Sequence, residues 1–511
     1  MRRIFGLARR KVFDGWLGRV VAGVVAASFV LAWGAERVFA ASRTAKVAGQ
    51  FYPASQRQLF EMVTELISQQ PVPQSNRKPR ILIVPHAGYP YSGTIAARAF
   101  RQLQGQAYDG VVVVGFTHQL PFEGSSVDTT ERYETPLGEI PIDQEAVATL
   151  LTQPGITHFE GVHESGEHSL EVELPFLQVA LQRFRLVPIL MGDATLDSAR
   201  NLAYALARLA HSGDYLFVFS TDLSHFHPYD QAKTIDGRTV NAILFETPQA
   251  VYRLFIGGEV EACGRAPILT SLFLSKELGY LKPELLAYAN SGDAIGDRSR
   301  VVGYAAVAMS EQQSSVTRDR LSAQAGSALV SAARQALEHL IGDGTMQHAA
   351  EVSLEQYPEL SQPHGIFVTL RKQGALRGCI GRIEADESLA SIISETTVDA
   401  ALHDPRFSPV THQEIPDINI EISVLTAPRR VGSQDEVVAG RDGVVLEYQG
   451  RRGVFLPQVW EETGWTRLEF LRELASQKAG MPRESWREAM LYVFQAQSFE
   501  EPLPARSATA Q

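Results

Sequence analysis

Residues 81–94 read ILIVPHAGYPYSGT, and this stretch limits the fold more than any other. An apolar, largely β-branched run at 81–84 ends at Pro85, and His86 follows at once. Such a run, without polar alternation, is the mark of a strand buried on both faces of a parallel sheet. Glycines at 88 and 93 then mark a loop that opens a helix expected over residues 94–103. Three later segments repeat the pattern of apolar strand and then polar cluster. They are VVVVGFTH ending at His118, LVPILMGD ending at Asp193 and LFVFSTDLSH ending at His225. Ligands gather at the C-terminal ends of strands in open α/β sheets. Several strand ends carrying His or Asp therefore point to one shared site.

A chain of 511 residues exceeds one ordinary core and predicts two or three domains. With 45% hydrophobic and 21% charged residues the composition is globular. The net charge of −11 argues against nucleic acid as a partner, because neutralising phosphates takes clustered Lys and Arg. The only two cysteines, Cys263 and Cys379, are 116 residues apart and fall in different expected domains, so a disulfide framework is not expected.

The N-terminus has the layout of an export signal. Arg2, Arg3, Arg9, Arg10, Lys11 and Arg19 precede a 14-residue uncharged run at 20–33, and Val38-Phe39-Ala40 offers a small-residue cleavage site. The run is short of the roughly 20 residues of a membrane span. Residues 1–42 are thus expected to be a signal peptide, or an N-terminal membrane anchor if uncleaved. The protein is expected to be exported, to the periplasm or another extracytoplasmic place.

Apolar strands alternating with helical patterns over residues 43–310 predict an α/β domain with a mainly parallel sheet flanked by helices. The polar segment 311–320 reads as a linker and 502–511 as a tail. Between them, residues 321–501 mix strands with segregated helices, an α+β pattern. Within this second domain INIEISVL at 418–425 alternates like a half-buried strand. Arg377-Gly378-Cys379-Ile380-Gly381 reads as a tight turn that opens the Cys379 thiol to a ligand or packs it inward.

The chemistry points to a metal. Imidazole and thiolate suit iron, copper and zinc, and a cysteine at a helix N-terminus is favoured as thiolate by the dipole. Taken singly, each residue also has an ordinary reading. A histidine after a strand can be a hydrogen-bonded loop residue, and Cys263 a small buried hydrophobe. Asp222 can cap a turn, and His168 with Glu171 can be an exposed helix start. Spacing alone does not bring His86, His118 and Cys263 together.

The strings VPHAGYPYSG, GFTH, EHSLEVELPF, STDLSH and EACGRAPI, in this order, resemble the Memo family. With AGQFYP before them and VVGYAAVAM after, the resemblance covers nearly the whole first domain. It implies a fold similar to class III extradiol dioxygenases of the LigB type. It also implies that His86, His118 and Cys263 contact a metal, while Asp222 and His225 line the same pocket as catalytic residues. The metal implied is Fe(II), with Cu or Zn as alternatives. Extradiol enzymes use two histidines and one carboxylate, and here Cys263 stands in the carboxylate's place. Phe116-Thr117 precedes His118 where that family usually has Pro followed by Ser or Asn.

In the second domain LRGCIG, DPRF, EISVLTAP and GVFLPQVWEETGW resemble the AMMECR1 family over most of residues 325–495. Memo-like and AMMECR1-like proteins are associated in many prokaryotes with a radical-SAM protein, as the AmmeMemoRadiSam set. The resemblance implies such a partner here. Two functions follow as expectations. One is a non-haem iron or copper oxidoreductase, dioxygenase-like, acting on a small molecule or peptide that the second domain shapes or delivers. The other is a metal-dependent module that binds a peptide or small ligand without turnover. A zinc hydrolase is a third reading of the same donors.

Overall fold

A computed structural model of the protein describes residues 42–73, 77–181, 183–311, 320–342, 353–384 and 387–501. The expected leader up to residue 41, the linker's 312–319 and the tail 502–511 lie outside the described residues. Among the described residues no helix is long and apolar enough to cross a membrane.

The first domain is built on a nine-stranded sheet. Its helix α1 (Gln56–Ser68) buries Leu59, Val63 and Ile67, one stripe at helical spacing. Strand β1 (Pro79–Val84) follows, then α2 (Tyr89–Phe100) and β2 (Gly110–Phe116). Strand β3 (Arg185–Met191), helix α3 (Leu196–Ser212) and strand β4 (Tyr215–Ser220) come next. After them lie α4 (Tyr229–Phe245), α5 (Arg265–Glu277), β5 (Lys282–Asn290) and β6 (Val301–Ser310). The central order β1-β4-β2-β3 is parallel throughout, and these strands are buried along almost their whole length. This is why their sequences run apolar without alternation.

The sheet is mixed rather than parallel to its edges. β6 returns antiparallel beside β1 and pairs on its other side with β5, while residues 125–127 run antiparallel to β3. Helix α2 begins at Tyr89, five residues before the expected start. Pro90 lies in its first turn, where a missing N–H costs nothing, and the Gly88 carbonyl accepts from Ser92 N at 3.2 Å.

The second domain carries two four-stranded antiparallel sheets. Helices α6 (Ala323–Gly342) and α7 (Leu389–Leu402) cover one face of the first sheet, formed by β7 (Gly365–Lys372), β8 (Ala375–Arg382), β9 (Ile418–Leu425) and Ala496–Glu500. INIEISVL is buried on both faces, not half-buried. β9 is an interior strand, and Ser423, on the face away from the helices, receives a 3.0 Å hydrogen bond from Gln458 Nε2.

RGCIG is not a turn but the middle of β8. A Cβ on Gly378 would overlap the Ala400 carbonyl of α7, and one on Gly381 would overlap the Ile366 carbonyl of β7. These glycines serve close packing, not chain reversal. Gly378→Ala is therefore expected to destabilise the second domain by about 1–3 kcal/mol, read as a lowered Tm of that domain's unfolding transition.

The two domains meet at one end of α5. Lys276 in its last turn pairs with Glu461, and the Tyr280 hydroxyl donates to the Gly440 carbonyl. Nearby, Arg253 Nε donates to Gly464 O at 2.9 Å, and Arg467 N donates to a Glu246 carboxylate oxygen at 2.7 Å. Cys263 lies just before the opposite end of α5. A helix of 13 residues puts about 20 Å between the two ends.

Candidate metal centre

Three chain segments converge beyond the C-terminal ends of β1, β2 and β4. His86, two residues past β1, is 2% exposed. Its backbone N donates to Asp222 Oδ1 at 2.9 Å, its Nδ1 lies 2.8 Å from Ser220 Oγ, and its Nε2 lies 3.1 Å from Cys263 Sγ. His118, two residues past β2, has Nδ1 at 3.1 Å from Glu167 Oε1. The two imidazoles are 5.2 Å apart and nearly perpendicular, at 86°. Cys263 is pinned by reciprocal contacts with Asp222: its N donates to Asp222 O at 3.2 Å, and its Sγ accepts from Asp222 N at 3.2 Å. The ligand atoms of His86, His118 and Cys263 all lie within 4.8 Å of one another.

Glycines make this convergence possible. A Cβ on Gly264 would lie 2.6 Å from Thr221 Cβ and 2.8 Å from Ser220 O, so only glycine lets the Cys263 segment close on the end of β4. A Cβ on Gly115 would overlap Ser169 Oγ. That hydroxyl donates to Phe116 O at 3.1 Å and brings the EHS loop against His118.

His168 belongs to the same cluster. Its ring lies 5.1 Å from His86 and 4.9 Å from His118, and stacks on Phe51 at 4.5 Å. With His118 and Glu167 it forms a second group whose ligand atoms lie within 4.8 Å of one another. Glu167 was not singled out by sequence reasoning. It accepts from His118 N, from His168 N at 3.0 Å and from Ser169 N at 2.9 Å, and so organises the loop as well as His118. Its signal was available in the EHSLE string, next to the histidine that was named.

Burial works against charge on His86, His168 and Cys263, whereas His118 is paired with a carboxylate. Burial lowers His86 well below the usual imidazole range, with His168 and His118 adding repulsion. Burial likewise brings His168 down to about 4 and lowers His225. For His118 burial is outweighed by the Glu167 carboxylate, which raises it. Burial lifts Asp222 to about 7, against hydrogen bonds from the His86 and Ala87 amides. It also pushes the Cys263 thiol up to about 12, with Asp222 adding to the rise. Burial and the adjacent carboxyl thus work against the thiolate that the helix dipole is expected to favour. A cation held here would supply the missing charge.

The donor set fits a first-row metal. Both imidazoles have Nδ1 engaged by the protein, the arrangement that leaves Nε2 for a metal. His118 is the exposed member of the group and marks the solvent side. His225 sits near these histidines with Nδ1 at 2.8 Å from Leu223 O. Phe226, at φ +64°, turns the chain sharply, leaving its own ring exposed and His225 half-buried.

Other residues named from the sequence fall elsewhere. Glu171 is not an exposed helix start: it is fully buried and holds the segment at 43–52, pairing with Arg43 at 2.8 Å. Asp193 accepts from Gly124 N, Thr195 and Ser198 and so stabilises a loop. In the second domain Arg377 forms a fork with Glu414, both contacts at 3.0 Å, which accounts for its charge. Cys379 lies on β8 with Thr369 Oγ1 3.4 Å from its sulfur, and its N donates to Asp404 Oδ2 at 2.8 Å. Among the described residues, neither group that could hold a metal includes a residue of the second domain.

Fold and site together define a protein of two domains, an α/β domain holding His and Cys groups that could bind a metal and an α+β domain docked at its far end. The family model for Memo-like proteins matches residues 43–308, and that for AMMECR1 matches residues 330–499. A MEMO1 family protein of Nitrosopumilus maritimus is 32% identical over 266 residues, covering 51% of this chain and 97% of the relative. That of Ignicoccus hospitalis is 36% identical over 277 residues, covering 52% and 97%. The crystal structure of an uncharacterized protein, PH0010 from Pyrococcus horikoshii, is 34% identical, covers 36% of this chain and 95% of that one, and superposes with a TM-score of 0.33. The chain belongs to the MEMO1 family and carries an AMMECR1 domain behind its Memo domain.

Proposed function

We propose that the first domain holds one first-row metal ion on His86, His118 and Cys263 and acts as a non-haem oxidoreductase on a small molecule or peptide. Iron(II) is the metal of choice, with copper and then zinc as alternatives for two imidazoles and a thiolate. The observation that carries this reading is the meeting of three ligand atoms within 4.8 Å from three distant parts of the chain. A bound metal would supply Lewis acidity and open coordination positions.

The rest falls to the chain's own groups. Asp222 fixes the His86 loop and the Cys263 loop together through its carboxylate and its backbone. His225 donates from Nδ1 to Leu223 O, which leaves Nε2 able to accept a proton. The second domain, docked at the far end of α5, serves the partnership with other proteins, a radical-SAM protein among them, rather than the chemistry at the metal. The alternative, a metal-dependent binding module without turnover, is favoured by one observation, the thiol of Cys263 where extradiol enzymes place a carboxylate.

The test is metal content by mass spectrometry after anaerobic purification and supply of Fe(II), Cu or Zn, followed by oxygen consumption. One metal per chain is expected. His225→Ala is expected to keep that stoichiometry and lower turnover by about 10²–10⁴-fold. Wild-type protein that stays metal-free under all three conditions refutes the reading, and a metal-loaded protein with no redox activity favours the binding module.

A further inference from the structure

Glu173 lies directly behind the candidate metal centre and has no part in the reading above. It is 1% exposed, at the end of the short turn Glu171–Glu173. Its Oε1 accepts from Ser220 Oγ at 2.9 Å, and Ser220 is itself fully buried. The same Ser220 Oγ lies 2.8 Å from His86 Nδ1. Glu173 Oε2 has no hydrogen-bond partner among the described residues. A carboxyl, a hydroxyl and an imidazole thus form one line that ends at His86 Nε2, 3.1 Å from Cys263 Sγ.

We infer that Glu173 is a positioning residue for His86: acting through Ser220, it holds the His86 proton on Nδ1 and leaves the Nε2 lone pair for a metal. The inference rests on the metal-site reading above. A serine hydroxyl has one proton. Burial raises Glu173 well above the usual carboxylate range, yet Oε1 accepts the serine proton both when the carboxyl is ionised and when its own proton sits on Oε2; the oxygen facing His86 can then only accept, so Nδ1 must carry hydrogen. Without the carboxyl the hydroxyl is free to donate to Nδ1 instead, and the proton moves to Nε2, where it blocks a metal.

Packing needs alone do not account for the group. A buried hydroxyl is satisfied at little cost by a backbone carbonyl, whereas a buried carboxyl with one oxygen unpartnered costs several times more. His118 receives the same treatment directly, from Glu167 at 3.1 Å. The two imidazoles are set in one tautomer by two carboxyl groups, one in contact and one relayed. Outer-shell partners of this kind are worth about 10–100-fold in metal affinity.

The test uses full-length protein labelled with 15N-histidine, metal-free and Zn(II)-loaded. Long-range 1H–15N spectra report the tautomer of His86, identified by the signal lost in His86→Gln. Wild type is expected to show the Nδ1–H form in both states. Glu173→Met and Ser220→Ala are expected to admit the Nε2–H form in the metal-free protein and to weaken Zn(II) binding about 10–100-fold. Glu173→Gln, whose amide oxygen still accepts from Ser220, is expected to restore both readouts. The double variant should lose no more affinity than Ser220→Ala alone, because Glu173 acts only through that hydroxyl.

Folded Ser220→Ala and Glu173→Met proteins that keep the Nδ1–H form and wild-type affinity overturn the inference, as do losses that simply add. If Glu173→Met fails to fold, Ser220→Ala against Glu173→Gln decides the question on the same readouts. A wild type that takes up no Zn(II) but whose metal-free His86 tautomer still follows Glu173 refutes the metal reading and leaves the relay standing.

Discussion

Cys263→Ala is expected to lower affinity for Fe(II), Cu or Zn beyond the roughly 10–100-fold that an outer-shell loss costs, while leaving the fold intact. The thiol is the only donor of the primary group able to bring a negative charge to the metal. It faces His86 Nε2 at 3.1 Å and lies within 4.8 Å of the His118 ligand atom, so its loss removes one corner of the three-donor group. Alanine fills most of the space near the N-terminus of α5, and the Cys263 N–H still reaches Asp222 O. Metal content and titration calorimetry, beside thermal unfolding of the same samples, separate ligand loss from misfolding. A variant that binds metal at wild-type affinity eliminates Cys263 as a ligand. Cys263→Ser should fall between the two, since a hydroxyl binds first-row metals more weakly than a thiolate.

Glu171→Leu is expected to destabilise the first domain by about 3–5 kcal/mol, the cost of leaving a buried ion without its partner. Glu171 is fully buried and Arg43 is 3% exposed. The carboxylate accepts from Lys46 N at 2.8 Å, Val47 N at 2.9 Å and the Tyr52 hydroxyl at 2.6 Å, in addition to the ion pair. Arg43 also donates to the His163 and Glu167 carbonyls. Removing the carboxylate therefore strands a guanidinium, two amides and a hydroxyl at once, beside the loop that carries Glu167 and His168. Urea unfolding followed by a probe confined to the first domain measures the loss. A change below about 1 kcal/mol would mean that water reaches Arg43 and the burial is not tight. Metal affinity in this variant should fall too, because the anchored segment supplies Phe51, against which His168 stacks.

Much of this molecule was legible in the residues. Unbroken apolar runs at 81–84, 111–114 and 215–219 announced central strands, because a strand covered on both faces has no polar side to alternate with. The stripe of Leu59, Val63 and Ile67 at helical spacing likewise marks the buried face of helix α1. His86, His118 and Cys263 stood out by residue type and by family likeness.

What those residues do to one another was decided by tertiary structure. Glu167 holds His118 across 49 positions, and Ser220 and Asp222 hold His86 across 134 and 136. No local pattern encodes a contact at such separation, because it depends on which strand ends the sheet order places side by side. The same limit hid the meaning of Glu171 and of Gly378. A carboxylate in EHSLE reads as a helix start until the chain at 43–52 folds over it. A glycine beside a cysteine reads as a turn until α7 is seen pressing a carbonyl into the space a Cβ would take. Period and composition determine which face of an element is buried. What lies against that face, and hence whether a charge is a partner, an anchor or a ligand, is determined only when distant elements pack.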